Sequence, residues 1–137
     1  MGLEFAKDKT LQQLIKKSRK NPLSDENASK IVKGMLEGLR HIHKQNFIHR
    51  DLKPSNIVIG DLADLSQVKL VDFGLAIKYQ ATQGIDDNCG TLVYQAPEQM
   101  DGGKQYGKPV DIWAIGFMMY EIIAGKHPLW VKGDDNK

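Results

Sequence analysis

The sequence predicts a mainly α-helical fold that carries one small β-hairpin. Apolar residues from Ala28 to Ile42 recur at helical spacing, two short β-branched runs flank a turn-rich segment, and residues 110 to 124 are apolar almost throughout. The 137 residues, 41% hydrophobic and 26% charged, have an ordinary globular composition and amount to one domain or part of a larger one. Nineteen basic against 17 acidic side chains leave a net charge of +2. Without a large basic field, nucleic acid and anionic membranes are not expected as main partners.

Thr10 and Gln13 form a capping box ahead of Leu11, Leu14 and Ile15, so a short helix is expected that stops before Asn21-Pro22. The cations at its end, Lys16, Lys17, Arg19 and Lys20, complement the helix dipole and read as a solvated end, not a targeting or nucleic-acid patch. Ser24 caps a second helix with Asp25 and Glu26 in its first turn. Its stripe runs through Ala28, Ile31, Val32, Met35, Leu36, Leu39 and Ile42. His41 and His43 lie two apart, point to different faces, and are read as structural or exposed instead of as a shared metal site.

From Phe47 the period changes. Ile57-Val58-Ile59 and the run Val68 to Val71 read as hairpin strands around the turn-rich segment Gly60 to Gln67. Residues 74 to 109 hold six glycines and no sustained period, which implies a long connection that is either functional or disordered. Val110 to Ala124 is expected to form a helix buried on every side.

Lone Cys89 has no partner for an internal disulfide, which favours a reduced, intracellular and cytoplasmic protein. Met1 to Lys20 is charged throughout and lacks the apolar core of a signal peptide, and Ala6 stands where a myristoylation start wants Ser or Thr. The most apolar run, Ile112 to Tyr120, has nine residues, too few for the roughly 20 of a membrane-spanning helix.

The chemistry concentrates in His49-Arg50-Asp51-Leu52-Lys53-Pro54-Ser55-Asn56, which matches the pattern H-R-D-L-x-x-x-N at every fixed letter. Five fixed letters arise by chance in roughly one of three million windows. A plain charged turn between helix and hairpin is the bland alternative, but Asp72-Phe73-Gly74 follows the second strand and Ala96-Pro97-Glu98 closes the irregular segment. Together these ordered motifs resemble the catalytic core of eukaryotic protein kinases, and the resemblance covers nearly the whole chain. Asp111-Ile112-Trp113-Ala114-Ile115-Gly116 is similar to the D-x-W-x-x-G start of the central C-lobe helix. The resemblance implies a C-lobe fragment without the N-lobe and the last C-lobe helices. It would comprise a hinge (1–9), two helices (10–48), a catalytic loop and metal-binding hairpin (49–73), an activation segment (74–98) and a buried helix region (99–137).

Phosphoryl transfer passes through a loose, charge-rich transition state, so a protein mainly positions the nucleophile and neutralises developing charge. Asp51 suits the orientation of a substrate hydroxyl and acceptance of its proton. Asn56 and Asp72 offer oxygen ligands to the Mg²⁺ that bridges ATP phosphates, and Lys53 can reach the transferred phosphate as a point charge. By resemblance, His49 and Phe73 join an internal apolar stack, Asp111 anchors the catalytic-loop backbone, and Val58 lies under the adenine. Backbone groups of Glu4 and Ala6 bind the adenine edge, and Glu98 pairs with an arginine of a later helix. Lys53 and the Gly90-Thr91 pair are similar to those of the Ser/Thr-specific branch, with Thr91 positioning substrate. Ser55 stands where many kinases that prefer basic substrates carry glutamate, and the activation segment resembles calcium/calmodulin-dependent relatives.

The resemblance also suggests a switch. Aligned on Gly90-Thr91, Asp87 occupies the place of an activating phosphothreonine, so a built-in carboxylate is expected to face Arg50. Thr82, the only Ser or Thr between Gly74 and Gly90, is the rival control point.

No G-x-G-x-x-G occurs in the sequence. Lys78 of Leu75-Ala76-Ile77-Lys78 falls in the activation segment and is rejected as the phosphate-binding lysine. Both ends look cut. Two readings follow: a portion of an active Ser/Thr kinase that needs the missing N-lobe and C-terminal helices as partners and acts on protein substrates, or a non-catalytic kinase-like interaction module. The isolated chain is expected to be inactive.

Overall fold

Thr10 opens the first helix through a reciprocal box. Its hydroxyl accepts the Gln13 N–H, and the Gln13 amide oxygen accepts the Thr10 N–H at 3.2 Å. The computed structural model describes residues 10–80, 85, 89–101 and 105–129. Helix α1 runs Leu11–Lys17 and buries Leu11 and Ile15. Helix α2, Asp25–Lys44, starts from the Ser24 cap and buries Ala28, Ile31, Met35 and Leu39 as the stripe implies, although Leu36 on its flank stays 41% exposed.

The hairpin pairs β2 (Ile57–Asp61) with β3 (Asp64–Leu70) antiparallel, Ile57 opposite Leu70 and Ile59 opposite Val68. Its strands are longer and its turn far shorter than the residues 60 to 67 expected from sequence. Side chains explain the difference. Asp61 accepts the Ala63 N–H, Asp64 accepts the Ser66 N–H and hydroxyl, and Leu65 between them is drawn into the core. Helix α2 lies against β3 because Gly34 and Gly38 face it. A Cβ on Gly34 would sit 2.7 Å from a Val68 methyl.

The described parts of residues 74 to 109 are less irregular than expected. Ile77–Lys78 forms β4, paired antiparallel with β1 (Phe47–Ile48), and Pro97–Met100 forms the short helix α3. Helix α4, Pro109–Ala124, ends on Gly125 with φ of 75°. It is not buried on every side. Val110, Ala114, Ile115, Met118 and Ile122 face inward, whereas Ile112, Trp113, Met119, Tyr120 and Ile123 are 42–51% exposed. Apolar composition shows that a helix wants cover, and the described residues cover one face only.

Two apolar clusters result. The larger joins α1, α2, the hairpin and α4, and contains Leu52; the smaller gathers Ile48, Ile85, Ala96, Tyr106 and Val110. Residues 49 to 51 therefore cross from one core to the other. None of the helices of the described residues is long and apolar enough to cross a membrane.

Candidate active site

The crossing segment is held by Asp111, in the first turn of α4 and 1% exposed. Its Oδ2 accepts the His49 N–H at 2.9 Å and His43 Nε2 at 2.8 Å, while Oδ1 accepts the Arg50 N–H at 3.0 Å. These bonds hold Arg50 at φ 71°, a left-handed conformation that costs a non-glycine residue roughly 1–2 kcal/mol. The Arg50 side chain then turns inward, with Nε donating to the Leu75 carbonyl at 2.6 Å and a terminal nitrogen 3.4 Å from the Tyr106 hydroxyl. Burial pushes the Tyr106 hydroxyl above its ordinary pKa, against the opposing pull of Arg50. His49, fully buried, donates from Nε2 to the Val71 carbonyl and accepts the Asp51 N–H on Nδ1, which fixes its tautomer.

Asp51 follows directly. The Thr91 hydroxyl and N–H both reach Asp51 Oδ1, at 2.9 and 3.2 Å, and Lys53 Nζ lies 3.8 Å from Oδ2. Lys53 also donates to the Thr91 hydroxyl at 3.0 Å. Close passage of the 90–91 backbone requires glycine: Gly90 has φ of 96°, and a Cβ there would sit 2.4 Å from the Arg50 carbonyl oxygen. Asn56 is 6% exposed and donates from Nδ2 to the Asp51 carbonyl at 2.8 Å, so its amide oxygen is the other end of the group. The Val71 N–H donates to the Asn56 carbonyl at 2.9 Å, placing Asp72 one residue beyond that link. Asp72 is exposed at φ 59°.

Phe73 departs from the expected internal stack. Its ring lies 5.0 Å between centroids from that of the fully buried His49, but Phe73 itself is 46% exposed. Val58 is buried in β2 and bridges to Thr10. Glu98 lies half-buried in the first turn of α3, apart from this cluster. Ile77 pairs with Ile48, and Lys78, exposed in β4, pairs with Phe47. Glu4, Ala6, Thr82 and Asp87 lie outside the described residues.

Sequence reasoning missed two groups beside the site. Gln95, 7% exposed, donates to the carbonyls of Cys89 and Gly90. The Tyr94 hydroxyl donates to Glu121, and His127 stacks on Phe117 at 5.2 Å while meeting Tyr94 edge-on. Burial raises the Tyr94 pKa, with Glu121 adding to the effect, and burial also raises that of Glu121 against the bond from Tyr94. His127 is pushed down by burial, opposed by its bond to the Val93 carbonyl. A lone glutamate in the apolar run Ile112 to Ala124 was the available signal.

A profile of the protein kinase domain matches residues 1–137. Among curated proteins, the mouse phosphorylase b kinase gamma catalytic chain, liver/testis isoform, is 38% identical over 118 residues, covering 82% of this chain and 28% of that protein. The Drosophila melanogaster calcium/calmodulin-dependent protein kinase type II alpha chain is 41% identical over 108 residues, 78% of this chain and 20% of its own. Developmentally-regulated protein kinase 1 of Dictyostelium discoideum is 39% identical over 111 residues, 80% and 15% respectively. The chain thus spans less than a third of the length of these relatives.

Proposed function

Because the chain belongs to the protein kinase domain family, we propose that it transfers the γ-phosphate of ATP to Ser or Thr hydroxyls of protein substrates, as part of a longer kinase polypeptide. The carrying observation is the Asp51 carboxylate, one oxygen of which is occupied by both Thr91 donors and the other of which faces Lys53. Oδ2 is then the oxygen that receives the substrate proton, as the hydroxyl oxygen bonds to phosphorus and the bond from phosphorus to ADP breaks. Lys53 balances the negative charge on the phosphoryl oxygens. Asp111 keeps the backbone in the left-handed turn that presents Asp51.

The donor set fits Mg²⁺. Asn56 and Asp72 supply an amide oxygen and a carboxylate, the hard ligands this ion takes alongside phosphates and water. Held by these two side chains, the ion would neutralise negative charge on the ATP phosphates. The glycine-rich loop and strand lysine that contact ATP phosphates in kinases are absent from these 137 residues and are assigned to the rest of the longer polypeptide, with Glu4, Ala6 and Val58 on the adenine side. Asp87 facing Arg50 is the proposed source of basal activity. Phosphatase treatment together with Thr82→Ala and Asp87→Ala decides between that acid and a phosphothreonine.

The test is transfer from Mg·ATP to a serine peptide by the full natural polypeptide, set against its Asp51→Asn variant. Activity abolished by the substitution is expected. Absence of transfer in the parent would overturn the reading in favour of a non-catalytic interaction module.

A further inference from the structure

Gln95 holds the one buried side-chain atom among the described residues that lacks a hydrogen-bond partner, its Oε1. The same side chain donates from Nε2 to two consecutive carbonyls, Cys89 at 2.8 Å and Gly90 at 3.2 Å. Two acceptors fix the amide orientation, since a flipped amide would set its oxygen against both. A buried amide with one end unsatisfied is costly, but Leu or Met in the same space would deprive the Cys89 and Gly90 carbonyls of this donor. The donor end is therefore what this side chain contributes to the segment. Gln95 also lines a cavity of about 10 Å³ together with Asp51, Thr91 and Asp111.

The two carbonyls belong to the residues just before Thr91. One peptide plane carries both the Gly90 C=O and the Thr91 N–H, and with no cis bonds among the described residues these point in opposite directions. Gln95 grips one edge of that plane, while the other edge donates to Asp51 Oδ1 at 3.2 Å. The plane cannot rotate to take Thr91 away from Asp51 without breaking the glutamine bond.

We propose that Gln95 is a positioning residue for Asp51, clamping the Gly90–Thr91 peptide so that both Thr91 donors stay on the carboxylate. The inference rests on the phosphotransfer reading, with Asp51 as the base. It extends that reading to a side chain in contact with neither the carboxylate nor a substrate.

The test compares the full natural polypeptide with its Gln95→Met variant, which keeps the volume and removes the donor. Expected results are a roughly tenfold fall in kcat for a serine peptide, an unchanged KM for Mg·ATP, and faster deuterium exchange at the Thr91 amide. In a Thr91→Ala background the same change should cost less than tenfold, because both substitutions act by loosening Asp51. Undiminished protection of the Thr91 amide, or losses that simply multiply, would overturn the proposal. Should Gln95→Met fail to fold, Gln95→Asn carries the same exchange measurement, since its shorter donor reaches at most one carbonyl. Thr91 exchange decides the clamp even if the parent transfers no phosphate, so the two readings fail separately.

Discussion

Thr91 grips Asp51 by a single oxygen, its hydroxyl at 2.9 Å and its amide at 3.2 Å from Oδ1. The residue that fixes the carboxylate's rotation thus lies 40 positions away, in a segment with little regular structure of its own. Thr91→Ala removes one of the two donors and is expected to lower kcat about tenfold, the effect of roughly one lost charge-assisted bond. Thr91→Ser keeps the hydroxyl and should retain most of the activity; steady-state kinetics on a serine peptide compare the two.

Asp51→Asn and Asp72→Asn should separate base from metal ligand. The first is expected to reduce turnover by about 100-fold or more with nucleotide affinity nearly intact, because the carboxylate acts on the nucleophile. The second should also weaken Mg·ATP binding, read by titration calorimetry.

Asp111→Asn places an NH₂ where three donors now converge, His49 N–H, Arg50 N–H and His43 Nε2. At least one donor is then left facing another. A loss of about 2–4 kcal/mol is expected from a buried, charge-assisted cluster of this kind, seen as a lowered denaturation midpoint with unchanged m-value.

Glu121 and His127 give stability opposite dependences on pH. Burial raises the Glu121 pKa above its ordinary 4.5, so its contribution is full below that value and is lost as pH rises through the folded-state value. His127 is depressed below 6.5, so its contribution is present above 6.5 and is lost as pH falls through the folded-state value. Glu121→Gln should therefore gain on the parent as pH rises above 4.5, while His127→Phe should remove the loss on the acid side. Thermal melts from pH 4 to 9 check both signs.

Much of this was legible in the sequence. Helices α1 and α2 announce themselves through Thr10, Ser24 and the 3.6-residue stripe, because caps and periodicity are local signals. The residues of the H-R-D and D-F-G motifs were legible as letters, but their geometry was not: Asp111 reaches His49 across 62 positions. The pairing of β1 with β4 is two residues long and leaves no period to detect. Gln95 was invisible for a similar reason, since an amide in a loop gains meaning only from the carbonyls that the fold brings to it. The exposure of Trp113 and Ile123 depends on what covers α4, which no property of the helix states.

The Asp111 cluster also sets an order of events during folding. His43, His49 and Arg50 precede their shared acceptor by 61 to 68 residues, and a ribosome adds about 5–20 residues per second. The Arg50 turn, unfavourable by itself, gains its offsetting bonds only after α4 has emerged and docked. Helix α2 and the hairpin, built from contacts close in sequence, can assemble seconds earlier on the growing chain. The loop that carries Asp51 is then among the last parts to take shape, and a nascent chain halted before residue 111 would lack both the anchor of that loop and the α4 side of the larger core.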